Sequence, residues 1–339
     1  MLGRLEQTIS DKSGEGTANA SGLFRTNKPI LYITVILIAA FGTFAYQLRV
    51  ESIFACTADG YGSDRYLEYC QATGYGDYDH GAFWFGLEPP ARDFVHSAQV
   101  LFLGNSRTQF AFSNGITADW FSSRAVPYYL LGFAYSEKYL FEQKLLDKLR
   151  PQAKVYVINI DKFFEPSETE PARLVMHDSG ALRRYQNKRL WQLIHRPICS
   201  AVPGICGHEF AVFRIRETGF WVGSGGRFSG EPVSNDQVVD NALVEREVKS
   251  GREFLLRLPV KPECVILTLV PTVGAQSAAA RAIAEALKSN FVAPTLDALR
   301  TFDGSHLDHV SAERWSQAFF EATGPRIQEC LSQPPGSEN

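Results

Sequence analysis

Hydrophobic and polar positions divide the chain into three parts. Residues 1–28 are polar and rich in Gly, Ser and Thr, which predicts a disordered tail. Residues 29–48 carry no formal charge over 20 positions, and as a helix rising about 1.5 Å per residue this apolar segment would span about 30 Å, enough to cross one bilayer. From residue 99 onward, short apolar runs alternate with amphipathic stretches, a pattern typical of strands and helices in an α/β domain.

The alternation predicts a sheet whose strands are separated by helices. Strands are expected at residues 100–103, 126–131, 155–160, 265–270 and 291–292, and helices at residues 135–149, 277–289 and 311–322. Apolar strands flanked by helices are what a sheet buried on both faces requires. The predicted fold class is therefore α/β, with a doubly wound, mostly parallel sheet flanked by helices.

Two stretches interrupt this pattern. Residues 49–98 are rich in Gly, Tyr and Asp with little periodicity, and they predict an irregular stalk or lid. Residues 162–262 interrupt the domain at 99–326, and because a structureless loop of this length is improbable, an inserted subdomain is expected. It leaves from the carboxyl end of the third strand, the side where open α/β sheets bind ligands. Residues 327–339 are expected to form a C-terminal tail.

The apolar segment is interpreted as a single membrane-spanning helix. Arg25 and Lys28 precede it and Arg49 follows it, so the positive-inside bias is slight. A signal peptide cleaved after Ala45 is the alternative, which would release a soluble secreted protein, but signal peptides usually have a shorter apolar region.

Cysteine usage indicates the compartment. All six cysteines lie after the apolar segment, and an even number predicts disulfides in an oxidising, extracytoplasmic environment. Six cysteines allow many connectivities, and sequence does not choose among them. The pairs adjacent in sequence, Cys56–Cys70 and Cys199–Cys206, are the expected ones, which leaves Cys264 with Cys330.

Composition excludes some partners. The formal net charge of −3 gives no basic signature, which argues against nucleic acid. The chain has no C-x-x-C and no histidine pair at ligand spacing, so neither a metal nor another cofactor is expected.

The first candidate for chemistry is Ser106, which follows the strand predicted at residues 100–103. Gly104 allows a sharp turn, and the helix expected next would point its N-terminal amides at negative charge near the hydroxyl. A serine hydroxyl needs a base to become a nucleophile. The ordinary role for Ser106 would be that of helix N-cap.

The second candidate is the segment around Asp303 and His306 near the C-terminus. An acid three residues before a histidine on a Gly-containing turn could orient the imidazole while it takes the proton of Ser106. The alternatives are a plain turn formed by Asp303 and a shifted interpretation with His309 as the base.

A serine after the first strand together with D-x-x-H near the C-terminus resembles the SGNH (GDSL-like) hydrolase superfamily. The resemblance covers residues 99–320, about two-thirds of the chain, and is specific only at its two ends. It implies Ser106 as nucleophile, His306 as base and Asp303 as the group that orients it.

The resemblance also implies an oxyanion hole formed by the Ser106 amide, the Gly132 amide and an asparagine after the third strand. Here the chain departs from the family, because Asp161 occupies the asparagine position and would repel an oxyanion. Asn159 could fill the role through a shifted turn. Asn105 stands where the family has aspartate. Arg107 could bind an anionic substrate group or pair with a structural carboxylate.

The resemblance implies an extracytoplasmic, in bacteria periplasmic, serine esterase or O-acyltransferase anchored by one membrane helix. Anchored SGNH-like proteins resemble accessory proteins of polysaccharide O-acetylation, which suggests acyl esters of a cell-surface or exported polysaccharide as substrate and a multi-span membrane acyltransferase as partner. The alternative is a catalytically impaired module that binds glycan or scaffolds such a complex. The sequence leaves open the acyl group, the acceptor and the choice between hydrolysis and transfer.

Overall fold

The computed structural model describes residues 28–72 and 74–333, so most of the expected N-terminal tail lies outside the described residues. The chain divides into two compact units between Gln47 and Leu48. In the described part of the chain, one helix is long and apolar enough to cross a membrane: its stretch Lys28–Val50 has a mean hydropathy of 1.9 and no buried residues. The apolar segment is thus a helix, with the properties that membrane anchors and signal sequences share.

The described helices and strands alternate along much of the chain. The helices are α1 (Lys28–Glu51), α2 (Asp79–Trp84), α3 (Pro89–Ser97), α4 (Ser106–Ala111), α5 (Asn114–Ser122), α6 (Tyr139–Leu149), α7 (Glu170–His177), α8 (Ala181–Ala201), α9 (Asn241–Leu255), α10 (Ser277–Leu287) and α11 (His309–Ser332). The strands are β1 (Arg65–Cys70), β2 (Gly76–Asp77), β3 (Val100–Asn105), β4 (Tyr128–Phe133), β5 (Val155–Asn159), β6 (Ala211–Ile215), β7 (Trp221–Ser224), β8 (Glu231–Pro232), β9 (Val265–Thr268), β10 (Asn290–Phe291) and β11 (Arg300–Thr301).

The central sheet confirms the predicted α/β class. Five parallel strands lie in the order β10-β9-β5-β3-β4. Numbered within the sheet, this is the order 2-1-3-4-5 of a doubly wound fold, in which the connections leave β3 and β5 in opposite directions and open a crevice at their carboxyl ends. Ser106 follows β3 directly and therefore lies at this crevice.

The central strands are buried on both faces, as their continuous apolar runs predict. Leu101 and Leu103 of β3 belong to a core layer that includes residues of α3, α6 and α10. Val100 and Phe102 belong to the opposite layer, with residues of α5 and α11. The alternation follows the two-residue period of a strand.

A second sheet, antiparallel with the order β2-β1-β6-β7, joins the two stretches that interrupt the sequence pattern. The prediction of an irregular stalk at residues 49–98 is wrong for the residues that form strand β1. This strand pairs with β6 from Arg65↔Ile215 to Cys70↔Ala211. The inserted residues 162–262 supply both β6 and β7. Sequence periodicity missed β1 because its partner lies about 145 positions away.

The prediction of a C-terminal tail from residue 327 is also wrong. Helix α11 continues to Ser332, and Ile327 and Cys330 on it are buried against the sheet. The disulfide Cys264–Cys330 joins this last turn to the residue before β9. Residues 334–339 lie outside the described range. The other two disulfides, Cys56–Cys70 and Cys199–Cys206, are also the expected pairs.

Arg214 of β6 connects the antiparallel sheet to the edge of the parallel sheet. Its guanidinium is fully buried and bonds the Asp79 carboxylate, with Nε 2.7 Å from Oδ2. It also donates to the carbonyl oxygens of Leu130 and Gly132 in β4. Strand β4 is the last strand of its sheet, so these bonds satisfy backbone groups that an edge would leave open.

His80 of α2 is held between two buried carboxylates. Its Nδ1 lies 2.8 Å from Asp77 Oδ1, and its Nε2 lies 2.7 Å from Glu137 Oε2. Burial alone would lower the pKa of His80, but the charge and hydrogen bond of Asp77 and those of Glu137 outweigh it and raise the pKa to about 10. His80 is therefore an imidazolium at neutral pH.

This histidine should make the fold sensitive to alkali. An unfolded histidine has a pKa of about 6.5, so the stabilisation from His80 is fully present below about pH 6.5 and is lost as the pH rises to about 10. We expect the urea midpoint of the full-length protein to fall between pH 7 and pH 10, and to fall less in His80→Gln. If the urea midpoints of the wild type and of His80→Gln fell equally between pH 7 and pH 10, His80 would not be the group that makes the fold sensitive to alkali.

Candidate active site

The turn between β3 and α4 presents the Ser106 hydroxyl. Gly104 has a φ of +138°, and a Cβ there would lie 2.5 Å from Thr108 Oγ1, so a side chain is excluded by both conformation and space. Asn105 is the N-cap of α4, since its Oδ1 accepts a hydrogen bond from the Arg107 amide at 3.0 Å. Ser106 is therefore the first helical residue and its hydroxyl is not needed as a cap.

The carboxylate of Asp303 has two roles. Its Oδ1 accepts hydrogen bonds from the backbone amides of Ser305 and His306, at 2.9 and 2.8 Å, which is the plain-turn interpretation of the sequence. Its Oδ2 lies 2.7 Å from His306 Nδ1. The same carboxylate thus shapes the turn and orients the imidazole.

The structure brings Ser106, His306 and Asp303 together. His306 Nε2 lies 2.8 Å from Ser106 Oγ, although the two residues are 200 positions apart. With the Nδ1 proton donated to Asp303, Nε2 is the acceptor for the serine hydroxyl. The side chains of His306 and Asp303 are 18% and 23% exposed, so the group is open to a substrate.

The environment of Asp303 keeps it ionised. Partial burial raises the pKa of Asp303, but the hydrogen bond and positive charge of His306 and two backbone amides lower it by more, so the net pKa is below the ordinary value. An ionised carboxylate at Nδ1 stabilises the imidazolium that forms when His306 takes a proton.

Two aromatic rings fix the orientation of the imidazole. Phe302 stacks on His306, with ring centroids 5.5 Å apart and planes 21° apart. Phe110 meets it edge to face at 5.0 Å. Phe110 lies one helical turn after Ser106 on α4, so the same short helix positions both sides of the Ser–His contact.

Asp161 does not present an unpaired charge at the site. Its carboxylate bonds the Arg107 guanidinium and lies 3.4 Å from Asn105 Nδ2, and its side chain is 6% exposed. Arg107 also donates from Nε to Ser305 Oγ at 3.1 Å. Arg107 thus has a structural carboxylate as partner and connects the end of β5 to the turn that carries His306.

The two other expected oxyanion donors are inside the protein. Asn159 is fully buried as the last residue of β5; its Oδ1 accepts from the Val270 amide at 3.2 Å, and its Nδ2, the atom that an oxyanion would contact, is buried without a hydrogen-bond partner among the described residues. Gly132 is buried in β4, where a Cβ would lie 2.8 Å from the Asn105 carbonyl oxygen. Close approach of two strands therefore explains Gly132.

Neither His309, the alternative base, nor His177 of α7 is part of the group formed by Ser106, His306 and Asp303. His309 is exposed and lies 3.6 Å from Glu313, and His177 is paired with Glu168 on the surface. Within the described residues, one group has the spacing of metal ligands, namely His195, Cys199 and Cys206. Its two cysteines form a disulfide, so their sulfurs are not available to a metal.

Sequence reasoning missed a group of aromatic side chains near His306. They are Phe110, Phe210, Trp221, Phe228 and Phe302, and we call them the aromatic cluster. The four-residue interval from Ser106 to Phe110 was a usable signal. Phe302 directly precedes Asp303 and could also have been found from sequence, whereas Phe210, Trp221 and Phe228 come from the inserted residues 162–262 and reach the site only in the assembled fold.

No family model, curated protein or solved structure matches this chain.

Proposed function

We propose that the protein is a membrane-anchored, extracytoplasmic serine esterase or O-acyltransferase of the SGNH type, acting on acyl esters of a cell-surface or exported polysaccharide. The observation that carries this proposal is the pair of contacts at His306, with Nε2 2.8 Å from Ser106 Oγ and Nδ1 2.7 Å from Asp303 Oδ2. A nucleophile, a base and a group that orients the base are the parts that acyl transfer requires.

In the proposed mechanism, Ser106 Oγ attacks the ester carbonyl carbon and its proton passes to His306 Nε2. Asp303 stabilises the resulting imidazolium. When the tetrahedral intermediate collapses, His306 returns the proton to the departing alkoxide, and an acyl-serine remains. Water or a sugar hydroxyl then loses a proton to His306 and attacks the acyl carbon; as the bond from that carbon to Ser106 Oγ breaks, His306 returns the proton to Ser106.

The tetrahedral oxyanion needs donors as well. The first amides of a helix have no partner within it, and Asn105 takes that of Arg107, so we assign the Ser106 amide as the first donor. Each such donor typically contributes about 10²–10³ in rate. Asn159 is buried in this structure and its Nδ2 has no hydrogen-bond partner among the described residues, so it can be the second donor only if substrate binding exposes it.

The proposed compartment and the proposed substrate are supported by different observations. An apolar N-terminal helix and three disulfides support a domain held outside the cytoplasm. The polysaccharide substrate and the multi-span membrane acyltransferase as partner rest on the family resemblance alone.

A second candidate function is a non-catalytic module that binds glycan or scaffolds a polysaccharide-modifying complex. The burial of Asn159 favours it, because the site then lacks an oxyanion donor that the family uses.

The experiment that decides between the two is hydrolysis of 4-nitrophenyl acetate by the full-length protein in nanodiscs. We expect turnover that exceeds the background of heat-denatured protein and rises in proportion to enzyme concentration. Turnover no faster than that background, with 4-nitrophenyl acetate and with 4-nitrophenyl octanoate alike, would favour the scaffold.

A further inference from the structure

A pocket of about 530 Å³ lies beside the Ser–His–Asp group. All five residues of the aromatic cluster line it, together with Val222 and Gly223 of β7 and residues at the start of α5. The walls therefore come from α4, from the inserted strands and from the turn before His306. The proposed acyl transfer assigns no role to this space.

The pocket and the catalytic group share two aromatic rings. Phe110 and Phe302 line it and also contact the His306 imidazole. Phe110 and Phe302 lie 5.3 Å apart, and Phe228 lies 5.2 Å from Phe302, measured between ring centroids. A ligand in the pocket would thus be separated from His306 by a single aromatic side chain.

The chemistry of the lining excludes a charged ligand. None of the lining residues is Asp, Glu, Lys or Arg, and His309 is the one ionisable side chain among them. Of the polar groups on its lining residues, Gln109 Nε2 already donates to the carbonyl oxygens of Leu130 and Gly132, whereas Gln109 Oε1 and Trp221 Nε1 are buried without a partner among the described residues. A sugar ring would bring many hydroxyl groups to a surface that offers few partners, whereas an alkyl chain needs none.

Size points in the same direction. At about 30 Å³ per water molecule, the pocket has the room of roughly 18 waters, well within the range of small-molecule sites and far more than an acetyl group fills. We infer that the pocket binds the acyl chain of the ester, and that the substrates carry uncharged, apolar acyl groups of roughly six to ten carbons rather than acetyl. This inference rests on the proposed function of Ser106.

The test is a chain-length series of 4-nitrophenyl esters, from acetate to octanoate, with the full-length protein in nanodiscs. Each methylene buried in the pocket should raise kcat/KM by up to about fourfold, so we expect octanoate to exceed acetate by at least tenfold. Val222→Phe, which fills the pocket from β7, should reduce the octanoate-to-acetate ratio by at least tenfold. The matched control Val238→Phe alters an exposed side chain outside the pocket and should keep the wild-type ratio.

If Val222→Phe does not fold, Phe228→Ala replaces it, because removing this partly exposed ring should lower the same ratio. A flat series with hydrolysis that still requires Ser106 would overturn the acyl pocket and leave the proposed function standing. Preference for acetylated sugars over octanoate would also overturn it, in favour of a sugar ring in the pocket. Absence of hydrolysis with every ester would remove the proposed function itself.

Discussion

Replacing Ser106 by alanine should lower kcat for 4-nitrophenyl ester hydrolysis by about 10⁴- to 10⁶-fold, the range seen when a catalytic serine is removed. The Ser106 oxygen is the only protein atom in the proposed mechanism that forms a bond to the acyl carbon. Asn105 caps α4, so the substitution should leave the urea midpoint of the protein nearly unchanged. Steady-state rates and urea titrations of the same preparation measure both effects.

The control for this variant is Ser123→Ala. Ser123 is an exposed serine at the end of α5, and its hydroxyl bonds only the Trp120 carbonyl and the Arg124 side chain. It should retain wild-type rates. Activity of Ser106→Ala within tenfold of the wild type would show that the nucleophile is another group.

Replacing Asp303 by asparagine should lower kcat by about 10⁴-fold. An amide cannot stabilise the imidazolium, and its N–H group can turn toward Nδ1 and impose the wrong tautomer on His306. The lowered pKa of Asp303 means that the wild-type carboxylate is ionised across the working range, so the loss should be present at every pH above about 5. Rate measurements from pH 5 to pH 9 test this.

Asp308→Asn is the matched control for that variant. Asp308 caps α11 by accepting the Ser311 amide at 2.8 Å, and asparagine caps a helix as well as aspartate does. The control should therefore keep wild-type activity. If Asp303→Asn kept more than about a tenth of the wild-type rate, Asp303 would be a turn former and nothing more.

The parallel sheet and the edge at which Ser106 lies could be predicted because their signals are local. Each apolar run between helices marks a buried strand, and the carboxyl ends of parallel strands meet at one edge. That rule alone places Ser106 at the crevice. The motif spacing then selects His306, since Asp303 three residues earlier can both close the turn and reach Nδ1.

The features that could not be predicted from the sequence depend on contacts between distant segments. Arg214 looks like any charged residue of a surface strand, and only the arrival of Asp79 and the edge of β4 explains its burial. Strand β1 has no local signal because half of its pairing comes from β6. Such features follow from the assembled fold and not from periodicity.

The same limit applies to the oxyanion region. Asp161 suggested repulsion when considered alone, but Arg107 beside Ser106 pairs with it. Asn159 suggested a donor, but it is the last residue of β5 and is buried, with its Oδ1 bonded to the chain after β9 and its Nδ2 unpartnered among the described residues. A shift of one residue at the end of a strand decides which face a side chain takes.

The central claim is that Ser106 is a nucleophile activated by His306, and covalent labelling tests it most directly. The native full-length protein is treated with a fluorophosphonate, which reacts with activated serines, and the adduct is counted by intact mass and located by peptide mapping. We expect one adduct, on Ser106, formed at a rate that drops by at least a hundredfold in His306→Ala. An unlabelled protein, or an adduct on another residue, would contradict the claim.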